Sequence, residues 1–226
     1  MARPALIGVD AGRVRANLAE VRDEVAAAAR RSGRDPATVA ILAATKYVAS
    51  EDLPALAAGG VELVGENRAQ DLLAKVAAHG ELFSWDFIGQ LQSRRVATIA
   101  PHVRLIHSLA SVSAAEALRR CLELGAARAD LGVLVQVNVA REPGKAGILP
   151  EELDSLLEQL PLPARGLMTM PPEVAEQEGS RRWFEALREL AAARGLAELS
   201  MGTTQDYAVA VEEGATIVRI GTRLYV

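Results

Sequence analysis

Short apolar runs of strand length alternate with amphipathic stretches along nearly the whole chain, and no other feature restricts its fold as much. After a first helix from Asp10 to Arg31, where Val14, Leu18, Val21 and Val25 recur at spacings of three and four, Ser32-Gly33-Arg34-Asp35-Pro36 breaks the pattern. Strand-like runs follow at Val39 to Lys46, Val61 to Val64, Trp85 to Ile88, Val103 to His107, Leu131 to Val139, Ala164 to Met168, Ala197 to Met201 and Ala215 to Ile220. Leu131 to Val139 is the longest, and it is Val-rich as a strand covered on both faces should be. Helical stretches separate them: Ser50 to Ala58 with Ser50 as N-cap, Asn67 to Ala78, Ser93 to Ala100, Ser113 to Leu124, Pro150 to Leu160, Gly179 to Arg194 and Thr204 to Glu213. Eight strands with seven helices between them predict a closed parallel (β/α)8 barrel, with the extra N-terminal helix covering the place of the missing last one. The 226 residues form one expected domain, 1-226. An open doubly wound sheet competes, but no Gly-x-Gly-x-x-Gly follows a strand.

Active sites of such barrels lie at the C-terminal ends of the strands. The first strand runs apolar into Thr45-Lys46-Tyr47, and alternation puts Ala40, Leu42, Ala44 and Lys46 on one face. Burying an ammonium is costly, and a desolvated lysine becomes a Schiff-base nucleophile. The plainer reading is a strand-end lysine that snorkels to water. Met201-Gly202-Thr203-Thr204 and Arg219-Ile220-Gly221-Thr222 leave strands seven and eight, where barrels bind phosphate; each alone could be a cap or a turn. Together with Lys46 they describe a phosphorylated carbonyl compound held as an imine. Arg219 shares an inward face with Ile217 and needs an acceptor, either a carboxylate or a ring nitrogen. Asn67 reads equally as a helix N-cap and as a ligand contact. His107 reads as a core histidine bonded to backbone, and Trp85 as core packing.

Several classes are excluded. A net charge of -4 offers no basic field for nucleic acid or an anionic membrane, and no apolar run of spanning length is present. The start, Met1 to Gly8, lacks a signal peptide's apolar segment, so a cytoplasmic protein is expected. The single cysteine, Cys121, and the three histidines show no metal-ligand spacing. The pair Arg94 and Arg95 reads as solvated, with anion binding as the alternative.

The chain resembles the pyridoxal-phosphate homeostasis proteins of the YggS/PROSC type. The resemblance rests on Ala44-Thr45-Lys46, Gly65-Glu66-Asn67, Trp85 to Ser93, Val137-Asn138-Val139, Lys145-Ala146-Gly147, Arg165 to Met168, Leu199 to Gly202 and Val218 to Thr222. It implies a barrel like the N-terminal domain of alanine racemase, fold type III of the pyridoxal 5'-phosphate (PLP) proteins, with PLP covalent on Lys46. Lys46, Asn67, Met201, Thr204, Arg219, Gly221 and Thr222 are the implied cofactor-binding residues, with phosphate on Thr204, Gly221 and Thr222 and the pyridine nitrogen near Arg219. The implied role is intracellular PLP homeostasis or carriage by a monomer that serves PLP-requiring apo-enzymes, without catalytic turnover or catalytic residues. A PLP-dependent amino-acid racemase is the alternative. Asp86, Arg94-Arg95, Thr203-Thr204 and the end from Thr222 to Val226 depart from the family's usual residues.

Overall fold

The computed structural model describes residues 8–226, so Met1 to Ile7, on which the reading of the N-terminus rests, lie outside the described residues. The first helix, α1 (Ala11–Arg31), starts where the Asp10 carboxylate accepts from the Arg13 amide at 2.7 Å. Val14, Leu18, Val21 and Val25 form its buried stripe, each contributing roughly 1.5–3 kcal/mol on full burial. It stops at Ser32 and at Gly33, whose φ of 70° is left-handed.

The barrel follows as β1 (Ala40–Ala44), α2 (Leu53–Ala58), β2 (Leu63–Glu66), α3 (Ala69–His79), β3 (Ser84–Phe87), α4 (Val96–Ile99), β4 (Leu105–Leu109) and α5 (Val112–Glu123). It continues with β5 (Gly132–Gln136), α6 (Leu153–Glu158), β6 (Gly166–Met168), α7 (Arg181–Ala192), β7 (Glu198–Thr203), α8 (Tyr207–Glu212) and β8 (Ile217–Ile220). All eight strands pair in parallel with their sequence neighbours, and β8 closes on β1 with Leu42 opposite Arg219. The closed barrel with its surrounding helices is the architecture the alternation predicts.

Side-chain alternation divides each strand between two cores. Leu42, Leu105, Leu134, Met168 and Ile217 pack inside the barrel. Val64, Trp85, Phe87, Ile106, Leu167, Met201 and Ile220 point outward into the larger layer beneath the helices. α1 packs against α2, α8 and the 3-10 turn Thr222–Leu224, filling the place of a helix after β8. The Asn17 amide clips that end by donating to the Leu224 and Val226 carbonyls.

Local expectations shift in several places. The longest described strand is β7, at six residues, because β5 ends at Gln136 and Val137 makes only an isolated bridge to Ile148. Ser50 is not a cap: it opens a 3-10 turn, and neither Ala49 before it nor Asp52 makes a side-chain cap bond. The second strand begins at Leu63, since Val61 instead bonds back to Leu56 to end α2.

Candidate functional site

Lys46 marks the first corner of the barrel mouth. β1 ends at Ala44, and Thr45 is seized by β2: its amide donates to the Gly65 carbonyl at 3.0 Å and its hydroxyl to Glu66 Oε1 at 2.6 Å. The chain then turns, closed by the Val48 amide on the Thr45 carbonyl. The turn lifts Lys46 into solvent, with its ammonium 4.9 Å from the Tyr47 ring centroid. This corrects the expectation of a buried, desolvated lysine; an extended strand carried to residue 46 would have buried it. What is pinned is the backbone just before it. The Tyr225 hydroxyl donates to the Ala44 carbonyl at 3.1 Å, and Lys75 Nζ donates to the Thr45 carbonyl at 2.8 Å. Burial and the Glu66 charge push the Tyr225 hydroxyl well above its ordinary value, so it stays a donor.

The second corner is the pair of loops after β7 and β8. Gly202 has φ 88°, and a Cβ there would lie 2.5 Å from the Ala210 Cβ, so only glycine lets β7 fold this tightly over α8. Asp206 ties the turn by accepting from the Thr203 amide at 2.7 Å and the Ser180 hydroxyl at 2.9 Å. Thr204 Oγ1 accepts from the Gly221 amide at 3.1 Å, so the two loops touch and the threonine's own proton stays available. The amides of Thr204 and Thr222 have no partner among the described residues. Thr204 and Gly221 are therefore in contact, with Thr222 next in the chain. Met201 does not join them by its side chain, which faces the outer core and is fully buried. Asn67 is half-buried after β2 and is not an N-cap: Arg68 precedes α3, without a side-chain bond. Its backbone is packed so closely by Gly89 that a Cβ on residue 89 would sit 1.9 Å from the Asn67 carbonyl oxygen. With Gln90, Gln92 and Arg95 it lines a hollow of about 300 Å³ beside the mouth; Arg94 stays exposed.

Arg219 stands inside the barrel between these corners, 4% exposed. Its acceptors are neutral: Ser200 Oγ at 2.5 Å, the Thr169 carbonyl at 2.9 Å and Met170 Sδ at 2.9 Å. A carboxylate partner, one of the two sequence alternatives, is not among them. Burial pulls the guanidinium down to about 10, which still leaves it charged at neutral pH. Its Nε–H has no partner among the described residues.

Sequence reasoning missed what stands behind Arg219. His107 is bonded to side chains, not to backbone: Nδ1 meets Ser200 Oγ at 2.8 Å and Nε2 meets Asp86 Oδ2 at 3.0 Å. Asp86 also accepts from Arg104 at 2.9 Å. Burial holds His107 below its ordinary 6.5, against the opposing pull of Asp86. The available signal was parity, since Asp86 and His107 share the inward faces of their strands with Ile88 and Leu105, and Ser200 lies between the outward Leu199 and Met201. Lys75 was missed as well. It reaches from α3 to bind Glu66, whose Oε2 has no partner. No metal-holding group of side chains occurs among the described residues, and no described helix is long and apolar enough to cross a membrane. Cys121 is a free thiol buried in α5.

No family model matches the chain. A curated protein of Pseudomonas aeruginosa named pyridoxal phosphate homeostasis protein is 40% identical over 216 residues, covering 92% of this chain and 93% of its own. PipY of Synechococcus elongatus, solved with PLP bound, is 30% identical with a TM-score of 0.77, over 94% of this chain and 100% of its own. Alanine racemase of Bartonella henselae shares the fold alone, at 15% identity and TM-score 0.69, over 96% of this chain and 59% of its own.

Proposed function

The chain belongs to the pyridoxal phosphate homeostasis protein family, and from that premise we propose that it holds PLP at the barrel mouth as an imine on Lys46 and serves PLP homeostasis as a carrier. The observation that carries the reading is the contrast at Lys46: an exposed ammonium on a turn whose two preceding carbonyls are both pinned. PLP supplies an aldehyde that condenses with an amine, with loss of water, and a phosphate for a nest of N–H donors. The residues present fit such a group. The unpartnered amides of Thr204 and Thr222 and the Thr204 hydroxyl are phosphate donors, and Gly221 leaves room for close approach. Arg219 keeps an unspent N–H for the ring nitrogen.

Delivery to PLP-requiring apo-enzymes by a monomer, without turnover, completes the proposal. A cation beside the ring nitrogen disfavours its protonation and weakens the ring as an electron sink. The Tyr207 hydroxyl is committed to Glu24 of α1 and the Tyr225 hydroxyl to Ala44, so neither is free to act as a racemase's second acid.

Borohydride reduction of the yellow protein should fix a pyridoxyl group on Lys46 in a peptide map; a label on Lys75 or Lys145 would refute the assignment. Lys46→Ala should lose the covalent adduct while keeping weak PLP binding through the phosphate contacts. In deuterated water, L-alanine should gain α-deuterium slowly or not at all. Racemisation at about 1 per second or faster, abolished by Lys46→Ala, would put the racemase reading in its place.

A further inference from the structure

Inward side chains from four strands form one unbroken line of hydrogen bonds across the barrel, from Arg104 at the floor to Arg219 at the mouth. Its proton positions can be deduced from one end. A guanidinium only donates, so Arg219 Nη1 gives its proton to Ser200 Oγ at 2.5 Å. The serine hydroxyl must then spend its own proton on His107 Nδ1, 2.8 Å away. Nδ1 is therefore an acceptor, and the ring proton sits on Nε2 and is donated to Asp86 Oδ2 at 3.0 Å. Asp86 meets Arg104 as well, so its charge is matched at the floor and not at the mouth. An imidazolium would make Nδ1 a second donor to Ser200. The hydroxyl proton would then have no acceptor among the described residues, beside the charges of Arg219 and Arg104.

We propose that His107 and Ser200 are positioning residues for Arg219. Asp86 locks the histidine in its neutral Nε2–H form, and the serine hydroxyl relays that lock to the guanidinium. Ser200, the Thr169 carbonyl and Met170 Sδ then hold the other donors in place, and one Nη1 proton and the Nε–H remain for the ligand. The result is a cation of fixed orientation with no carboxylate bonded to it. The inference deepens the PLP reading and rests on the cofactor's ring nitrogen meeting Arg219.

Two measurements test it. In protein labelled with 15N-histidine, the resonance lost in His107→Gln should show Nδ1 unprotonated and Nε2 protonated, unchanged from about pH 5 to 8. Affinity is then compared for PLP and for its analogue with carbon in place of the ring nitrogen. Ser200→Ala should weaken PLP by roughly three- to tenfold, the scale of one hydrogen bond, and leave the analogue unchanged; Ser200→Thr should restore PLP. Equal losses for both ligands would reduce Ser200 to a structural role and overturn the proposal. So would a protonated Nδ1 in wild-type protein that still binds PLP. Wild-type protein that binds neither ligand would instead remove the PLP reading itself.

Discussion

Lys75 and Arg219 are both buried cations, and the fold treats them in opposite ways. Lys75 lies outside the strands, under α3, and is answered directly by the Glu66 carboxylate and the Thr45 carbonyl. Arg219 lies inside the strands and is answered only by a hydroxyl, a carbonyl and a thioether. The first charge is cancelled where it stands, so it can bind α3 to the β1 turn but attracts nothing further. The second keeps its field at the mouth, where an electron-rich ligand can use it. A buried cation thus serves the fold or the site according to whether its neighbour is an anion.

The sharpest way to break this comparison is to leave one partner of the closed pair alone. Lys75→Met strands the Glu66 carboxylate in the helix layer and should cost about 3–5 kcal/mol in denaturant unfolding. Adding Glu66→Gln should return part of that loss, because no uncompensated charge remains. A single variant as stable as wild type would mean that the pair is not closed. On the open side, Thr204→Ala should leave unfolding nearly unchanged and weaken PLP roughly ten- to hundredfold, the scale of a hydrogen bond of ~1.5–3 kcal/mol to an ionised group. Pyridoxal without its phosphate should not distinguish the two proteins; equal losses for both ligands would remove Thr204 from the phosphate contact.

The smallest effect concerns pH. His107 is held below 6.5 in the folded state, so between its folded value and 6.5 the unfolded chain binds the extra proton. Stability should therefore be fully present above pH 6.5 and fall as pH drops below it, by at most about 1.4 kcal/mol per pH unit for one proton. Wild-type and His107→Gln unfolding free energies measured on both sides of 6.5 should differ in slope by this one proton. Parallel curves would show that the histidine binds its proton alike in the folded and the unfolded chain.

The barrel was legible because helix and strand periods differ and recur in alternation, and both are local. The positions of Lys46, Thr204, Gly221 and Arg219 at strand ends followed from the same alternation. The exposure of Lys46 was not legible, because β1 is stopped at Ala44 by a bond from Thr45 to Gly65, twenty residues away. The partners of His107 were hidden for the same reason. Ser200 is 93 residues on and meets it only after the sheet closes. Met201 was misplaced by one step of alternation: it shares a strand end with the phosphate loop but faces the other core.

The docking of α1 has a consequence for how the chain acquires its structure. α1 is covered by α8 and by the turn Thr222–Leu224, both about two hundred residues further along the chain. On a growing chain its apolar stripe has no permanent cover until β8 has joined β1. Contacts at such sequence distance slow folding and prolong the exposure of sticky surface. α1 is therefore a segment whose apolar stripe stays sticky until distant parts of the chain have come together.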